Sequence, residues 1–299
     1  MSEDFARLET EGRNPRTLDL DTLSTAGLVQ RLHRESLAAF TAVEAVLPQI
    51  TQVVDILAER LAHGGRLFYI GAGTSGRLGV LDASECPPTF GVSKEMVQGL
   101  IAGGDFALRN PIEGAEDSPE TGAADLRARA ITAQDVVVGI AASGRTPYVL
   151  GALDAAREAG AFTVSLANVS HSALARHVDL AIEAVTGPEA VTGSTRLKAG
   201  TAQKLILNLL TTAAMVRLGK VYSNLMVDVR ASNVKLQDRA VRILMSAADA
   251  ERPAAEAALE AAGGQVKTAI VMLRRSVSAQ QAAQLLAAAD GWVGRALEA

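Results

Sequence analysis

Two loops of this 299-residue chain contain the same tripeptide, Ser-Gly-Arg, each directly after a short apolar run. The first loop reads Gly-Ala-Gly-Thr-Ser-Gly-Arg and holds Thr74 and Ser75, and the second holds Ser143 and Thr146. Hydroxyl groups beside the free N–H groups of a helix N-terminus form the combination that binds a phosphate monoester. For each loop alone, an ordinary Ser or Thr helix cap is the alternative.

A third hydroxyl-rich loop contains Ser194 and Thr195 and opens a long helical stretch, residues 197–218. Three such loops at one edge of a sheet favour phosphate binding over three independent caps. The first loop also fits the dinucleotide pattern G-x-G-x-x-G. That pattern requires an acidic residue about 20 positions later, whereas Asp105 comes nearly 30 positions after Gly76, which argues against a dinucleotide site.

Two groups of carboxylates fall between the apolar runs. Glu85 precedes Pro87 and Pro88, which we expect to end a helix and to leave Glu85 in an apolar turn at the mouth of the site. Partial burial there would raise the pKa of Glu85 towards neutrality. Glu116 belongs to the acidic cluster 113–118, in a loop after the second strand. Two such carboxylates suit general acid–base catalysis, although solvated surface charges are the alternative.

The composition excludes several classes of protein. The formal net charge of −4 and an aromatic content of 3% disfavour binding to duplex or single-stranded nucleic acid. Cys86 is the only cysteine and the four histidines have no metal-ligand spacing, so we expect no disulfide and no metal site. The N-terminus does not resemble a secretory signal, and the longest nearly apolar stretch, 205–216, is shorter than the roughly 20 residues of a membrane span. These features predict a cytoplasmic protein that does not bind membranes.

The elements that would position the loops follow a strand–helix alternation. Short apolar runs predict five strands, at 66–70, 97–102, 135–141, 162–166 and 178–182. Helical patterns between them predict an α/β fold, a parallel sheet with helices on both faces and ligands at the carboxyl ends of the strands.

The flanking segments are predicted to be helical or extended. Residues 1–25 read as an extended arm that needs a neighbour to order it, which a partner subunit could supply. Residues 26–63 read as two helices separated at Pro48. The alanine-rich segment 246–299 reads as a small helical bundle that supports docking or dimerisation, with a regulatory or peptide-binding module as the alternative. We therefore divide the chain into a larger domain with the N-terminal arm and the three hydroxyl-rich loops, 1–240, and a small helical domain, 241–299.

Longer motifs in the same order resemble the N-acetylmuramic acid 6-phosphate etherase family over nearly the whole chain. They include Gly-Ala-Gly-Thr-Ser-Gly-Arg-Leu-Gly, Asp-Ala-Ser-Glu-Cys-Pro-Pro-Thr-Phe, Glu-Gly-Ala-Glu-Asp-Ser, Ala-Ala-Ser-Gly-Arg-Thr-Pro-Tyr and Gly-Ser-Thr-Arg-Leu-Lys-Ala-Gly-Thr-Ala-Gln-Lys. The N-terminal Thr-Glu-Gly-Arg-Asn belongs to the same resemblance. It implies the sugar isomerase (SIS) fold, a flavodoxin-like three-layer sandwich, and agrees with the strand–helix alternation.

The resemblance implies cleavage of the D-lactyl ether of N-acetylmuramic acid 6-phosphate, by elimination of lactate and addition of water, during cell-wall sugar recycling. It implies no cofactor, and a homodimer that completes its sites across the subunits. On this basis we hypothesise that Glu116 is the base at C2 and Glu85 the acid that protonates lactate. The phosphate would bind Thr74, Ser75, Ser143 and Thr146, with Ser194 and Thr195 nearby. Glu189 and Lys198 are further candidates for the site.

Relatives often have an Asn-Pro pair after the fourth strand, whereas this chain has Asn168-Val169, so no role is assigned to that loop. Three other functions remain open: an amino-sugar phosphate isomerase, a non-catalytic phosphosugar sensor and a dinucleotide-dependent oxidoreductase. The two glutamates argue against a pure sensor, and analysis of the products distinguishes an isomerase from an etherase.

Overall fold

A computed structural model describes residues 9–229 and 234–298 of the chain. It divides into two compact units, the first formed by residues up to Ser84 together with Glu95–Thr211, and the second by Glu85–Lys94 together with the chain from Thr212 onwards. Position 240, where the sequence predicts a domain boundary, lies inside a helix, Val234–Ala248. The division into domains 1–240 and 241–299 stays a prediction.

The first unit contains the predicted parallel sheet. Its strands are β1 (Leu67–Gly71), β2 (Val97–Ile101), β3 (Val136–Ile140), β4 (Phe162–Ala167) and β5 (Leu180–Glu183). They pair in the order β2-β1-β3-β4-β5, and each neighbouring pair is parallel. All five carboxyl ends therefore lie at one edge of the sheet. The α/β fold is confirmed, and strands β1 and β3 are buried along their whole length, as their continuous apolar runs indicate.

Helices precede the sheet and alternate with its strands. They are α1 (Thr25–Ser36), α2 (Ala38–Glu44), α3 (Leu47–Ala62), α4 (Gly73–Phe90), α5 (Pro119–Arg127), α6 (Pro147–Glu158) and α7 (Lys198–Arg217). Helices α5 and α6 approach each other closely because Gly122 and Gly151 lack a Cβ that would collide with backbone atoms of Tyr148 and Pro119. This contact fixes α5, and with it the acidic loop that precedes it, against α6.

Of the two proline predictions, one holds and one is wrong. The helix break predicted at Pro48 is present, because α3 begins at Leu47 with Pro48 in its first turn, although residues 26–63 form three helices where two were expected. Pro87 and Pro88 lie inside α4 and do not end it. A proline removes only its own N–H, and its carbonyl still accepts, as the bond from the Gly91 N–H to the Pro87 carbonyl shows.

The N-terminal arm packs on its own chain. Thr10, Asn14 and Thr17 are buried, and the Thr17 hydroxyl donates to the carbonyl of Ala190 at 2.9 Å. The neighbour that residues 9–25 contact is therefore the rest of the same chain. Residues 1–8 lie outside the described residues.

The second unit has its own small core. It contains β6 (Val221–Tyr222), β7 (Leu225–Met226), α8 (Val234–Ala248), α9 (Arg252–Ala261), α10 (Val266–Arg275), α11 (Ala279–Ala288) and α12 (Val293–Glu298). The short helices predicted after residue 246 are present. Residues Ala240, Leu244, Ala269 and Ile270 are fully buried in its apolar cluster.

Within the described parts of the chain, no single helix is long and apolar enough to cross a membrane. One pair of helical segments, Thr25–Glu44 and Leu47–Ala62, meets the length and composition test only when its two members are taken together, across a 58° bend.

Candidate active site

A cavity of about 320 Å³ lies at the carboxyl edge of the sheet, next to the ends of β1 and β3. Five of the six hydroxyl residues predicted for the phosphate line it: Thr74, Ser75, Ser143, Thr146 and Thr195. The sixth, Ser194, is adjacent in the chain but is not among the lining residues. The structure therefore brings the three hydroxyl-rich loops together at one site, as the parallel topology requires.

The first two loops need backbone conformations that favour glycine. Gly73 begins α4 with φ of 51°, and Gly144 lies between Ser143 and Arg145 with φ of 67°. A side chain at Gly144 would also collide with Ser172. These glycines turn the chain sharply from strand to helix, which points the following hydroxyl groups and N–H groups into the cavity.

The hydroxyl of Thr146 does not cap its helix. Thr146 is the residue that precedes α6, and its side chain makes no capping hydrogen bond. At the start of α7 the capping is done by Glu189, whose carboxylate accepts from the N–H groups of Lys198 at 3.2 Å and Ala199 at 2.9 Å. The alternative of ordinary Ser and Thr caps is therefore weakened in these two loops, because the hydroxyls remain available for a ligand.

Ser75 is held by a buried polar chain that the sequence did not reveal. The Ser75 hydroxyl donates to Gln203 Oε1 at 2.9 Å, Gln203 Nε2 donates to Asn168 Oδ1 at 2.9 Å, and Asn168 Nδ2 donates to the Ala184 carbonyl at 3.0 Å. Gln203 lies in the last of the motifs on which the family resemblance rests. That motif is the feature of the sequence that could have pointed to a role for Gln203 in the site. Asn168 is the residue to which no role could be assigned.

Glu116 lines the same cavity from the loop before α5. Its carbonyl accepts a 3.0 Å hydrogen bond from the N–H of Tyr148, in the first turn of α6. The Tyr148 hydroxyl in turn donates to Asp125 at 2.7 Å, and burial and this bond both raise the pKa of Tyr148. The loop that carries Glu116 is thus attached to the helix that begins at the second hydroxyl-rich loop.

Glu11 is a second carboxylate on the cavity lining and was not predicted. It belongs to the N-terminal Thr-Glu-Gly-Arg-Asn motif, and that motif is the feature of the sequence that could have pointed to Glu11 as a site residue. The arm is held in place by Asn14, whose side chain donates to Glu35 at 2.6 Å and to the Pro188 carbonyl at 3.1 Å. The hydrogen bonds from Arg16, together with Asn14 and Lys198, hold the pKa of Glu35 at about 2.

Glu189 and Lys198, the further candidates, are both 1% exposed and do not line the cavity. Lys198 Nζ lies 3.3 Å from the carboxylate of Glu35. Burial raises the pKa of Glu189, against the lowering effect of the two N–H groups it caps. Lys198 contacts Glu35, which also binds the arm through Asn14, and Glu189 caps the start of α7.

Glu85 is not placed as expected. It lies within α4 and is exposed. The expected proline-fixed turn does not exist because the helix continues to Phe90. The described residues that line the cavity do not include Glu85.

A smaller cavity of about 150 Å³ adjoins the first and shares Ala72, Gly73 and Glu116 with it. Arg77 lines it, together with the mostly apolar residues Ala102, Ala107, Pro111, Ile112 and Ala115. Glu116 is the charged residue common to both cavities. Among residues 9–229 and 234–298, no group of three His, Cys, Asp or Glu side chains is placed to hold a metal ion.

Known domain families and solved structures identify the class of fold to which the chain belongs. A model of the SIS domain matches residues 116–213, and a model of the N-terminal SIS domain of glucokinase regulatory protein matches residues 49–157. A solved structure of a protein from Escherichia coli has a TM-score of 0.50 and 19% sequence identity, over 68% of this chain and 97% of that chain. The fold is that of a SIS-domain protein.

Closer relatives narrow the class. Proteins named N-acetylmuramic acid 6-phosphate etherase share 58% identity in Serratia proteamaculans (97% of this chain, 98% of the relative) and 56% in Glaesserella parasuis (97% and 96%). The relative of that name in Mycolicibacterium smegmatis shares 54% over 99% of both chains. The chain belongs to the N-acetylmuramic acid 6-phosphate etherase family.

Proposed function

We propose that this enzyme cleaves the D-lactyl ether of N-acetylmuramic acid 6-phosphate, giving N-acetylglucosamine 6-phosphate and D-lactate, in the recycling of cell-wall amino sugars. The observation that carries the proposal is the cavity that joins five hydroxyl residues with Glu116, in a chain 54–58% identical to proteins with that name. We place the reaction in the cytoplasm on the sequence features given above.

The phosphate is the group we assign to the hydroxyl-lined part of the cavity. The described residues that line it include no lysine or arginine. Hydroxyl groups and the N-terminal dipoles of α4 and α6 therefore supply the attraction for the anion. Binding at this remote group positions C2 and C3 of the sugar, so that binding energy is used where the reaction takes place.

The reaction proceeds from the ring-opened aldehyde, whose carbonyl acidifies the C2 proton. The Glu116 carboxylate takes that proton, the C2–H electron pair forms the C2–C3 double bond, and the C3–O bond breaks. A proton from an acid completes the departing D-lactate. Water then adds at C3 and a proton returns to C2. Each of the two proton transfers contributes roughly 100- to 10,000-fold to the rate.

Glu85 remains our candidate for the acid, and its position has a consequence for assembly. Because Glu85 is exposed and is not among the residues that line the cavity, we propose that it serves the cavity of a partner subunit in a homodimer. Leu81, one turn earlier on the same helix, is 47% exposed, so this face also offers apolar area for a contact. Glu11 is the competing candidate, since it lines the cavity of its own chain.

The test is D-lactate release from N-acetylmuramic acid 6-phosphate in deuterated water, with deuterium incorporation at C2 followed in parallel. We expect wild type to release lactate, Glu116→Gln to lose both release and exchange, and Glu85→Gln to lose release while it still exchanges C2. A loss of release with retained exchange in Glu11→Gln, and not in Glu85→Gln, would transfer the acid role to Glu11. Binding of the sugar phosphate by wild type without lactate release would exclude the etherase reaction.

A further inference from the structure

Arg77 is a half-buried cation in the smaller cavity, held by backbone carbonyls alone. Its Nε donates to the carbonyl of Leu108 at 3.0 Å, and its Nη2 donates to the carbonyl of Ala107 at 2.7 Å. These bonds use two of the five N–H groups of the guanidinium. Of the described carboxylates, none forms an ion pair with Arg77. The guanidinium is therefore fixed in orientation without an ion-pair partner among the described residues, and its remaining N–H groups can bind an anion.

The charge balance of the two cavities is uneven. The larger cavity is lined by hydroxyls and two carboxylates without a basic residue, while Arg77 is the basic residue on the lining of the smaller one. The proposed substrate has two anionic groups, the phosphate at C6 and the carboxylate of the lactyl group at C3. If the phosphate lies in the larger cavity and C2 lies at Glu116, which both cavities share, the C3 substituent points towards the smaller cavity.

The smaller cavity also fits this substituent in size and polarity. Its volume of about 150 Å³ matches that of cavities of roughly 150 Å³ that bind benzene, so it has room for a three-carbon lactyl group. Ala107, Ile112 and Ala115 offer apolar surface to a methyl group, and the guanidinium provides the geometry that pairs with a carboxylate in a bidentate manner.

We infer that Arg77 binds the carboxylate of the lactyl group and makes the enzyme specific for an ether that carries one. This inference rests on the proposed function. Arg77 would hold the leaving group beside Glu116 during the elimination, and would release it as D-lactate when the C3–O bond breaks. A substrate with an uncharged C3 ether would lose this contact and leave the guanidinium unpaired.

The experiment compares two substrates, N-acetylmuramic acid 6-phosphate and its lactyl carboxamide, in wild type, Arg77→Met and Arg77→Lys. The matched control is Arg109→Met, which removes an exposed arginine two residues after Ala107. We expect wild type to prefer the carboxylate by roughly 10- to 100-fold in kcat/KM, the value of a hydrogen bond to a charged group. Arg77→Met should remove most of that preference, Arg77→Lys should keep part of it, and Arg109→Met should keep all of it.

Arg77 could instead act only by holding the loop through its two carbonyl bonds, and a second readout tests this. N-acetylglucosamine 6-phosphate has no lactyl group, so its C2 exchange in deuterated water measures the phosphate cavity and Glu116 alone. We expect Arg77→Met to exchange C2 of this sugar at the wild-type rate. An equal loss of exchange and of lactate release, or an unchanged preference for the carboxylate, would overturn the inference. Failure of wild type to release lactate would instead refute the proposed function.

Discussion

The Ser75 hydroxyl, at the start of α4, donates a 2.9 Å hydrogen bond to Gln203 in α7, 128 positions later in the chain. Both side chains are buried, with 7% and 1% exposure. Because Gln203 is itself held by Asn168, one polar chain connects the first hydroxyl-rich loop, α7 and the end of β4. This chain holds the first hydroxyl-rich loop in place through Ser75. Because the single proton of this hydroxyl is directed to Gln203 and phosphate oxygens only accept, the Ser75 hydroxyl does not also donate to the phosphate, and the other hydroxyl groups and the backbone N–H groups take that role.

Gln203→Leu should weaken phosphosugar binding and destabilise the first unit. The substitution leaves the buried Ser75 hydroxyl and the Asn168 amide oxygen without partners, at about 1–3 kcal/mol for each unsatisfied group. Urea unfolding and KM for the phosphosugar measure the two effects. In the double variant with Ser75→Ala, the stability losses should be less than additive because one unpaired group disappears. Full additivity would show that the two residues are not coupled.

Thr146→Val should raise KM for the phosphosugar by roughly 10- to 100-fold, the value of a hydrogen bond to a charged group. The helix should be little affected, since the Thr146 side chain makes no capping bond. Thr201→Val is the control, because the Thr201 hydroxyl already donates to the carbonyl of Leu197. A similar change in KM in both variants would remove Thr146 from the phosphate site.

Mixing two inactive variants tests whether the sites are shared between subunits. If Glu85 acts in the partner's cavity, a dimer of one Glu85→Gln chain and one Glu116→Gln chain has one intact site and one site with both changes. After unfolding and refolding of an equal mixture, about a quarter of the wild-type lactate release should return, as random pairing in a two-fold dimer requires.

Each variant refolded alone is the control for this experiment and should stay inactive. No recovery from a mixture that demonstrably contains mixed dimers would show that both glutamates act within one chain, or that Glu85 has no catalytic role.

Glu35→Gln should lower stability at neutral pH and change its dependence on acid. The pKa of Glu35 is lowered from 4.5 to about 2, mainly by Arg16. The stabilisation is therefore fully present above pH 4.5 and is lost as the pH falls towards 2. Loss of the charged hydrogen bonds should cost about 1–3 kcal/mol at pH 7. Urea midpoints of the two proteins should converge between pH 4.5 and 2, and a constant difference would assign the stability of the arm to other contacts.

The order of the elements and the chemistry of the loops follow from local sequence. Continuous apolar runs predict five buried strands, and their parallel pairing needs only the helical segments between them. Once the strands are parallel, Ser75 and Ser143 must lie at the same edge, because both follow a strand. The position of Glu116 at this edge is predictable for the same reason, since its loop also follows a strand of the sheet.

Tertiary structure decided the position of the remaining residues. Glu11 and Gln203 reach the cavity region through contacts between distant segments, the first because Asn14 and Thr17 attach the arm to residues 188–190. No local pattern predicts such contacts, because their free energy comes from packing and from hydrogen bonds that exist only after folding.

At Glu85 a local rule led to a wrong prediction. Pro87 and Pro88 were expected to end a helix, whereas α4 continues through both to Phe90. Propensity is a weak preference that the packing of the whole helix overrides. The sequence by itself thus determined the class of fold and the phosphate-binding residues to test. Only the tertiary structure decided which carboxylates share a cavity within one chain and placed Arg77 beside Glu116, because both depend on segments that are distant in sequence.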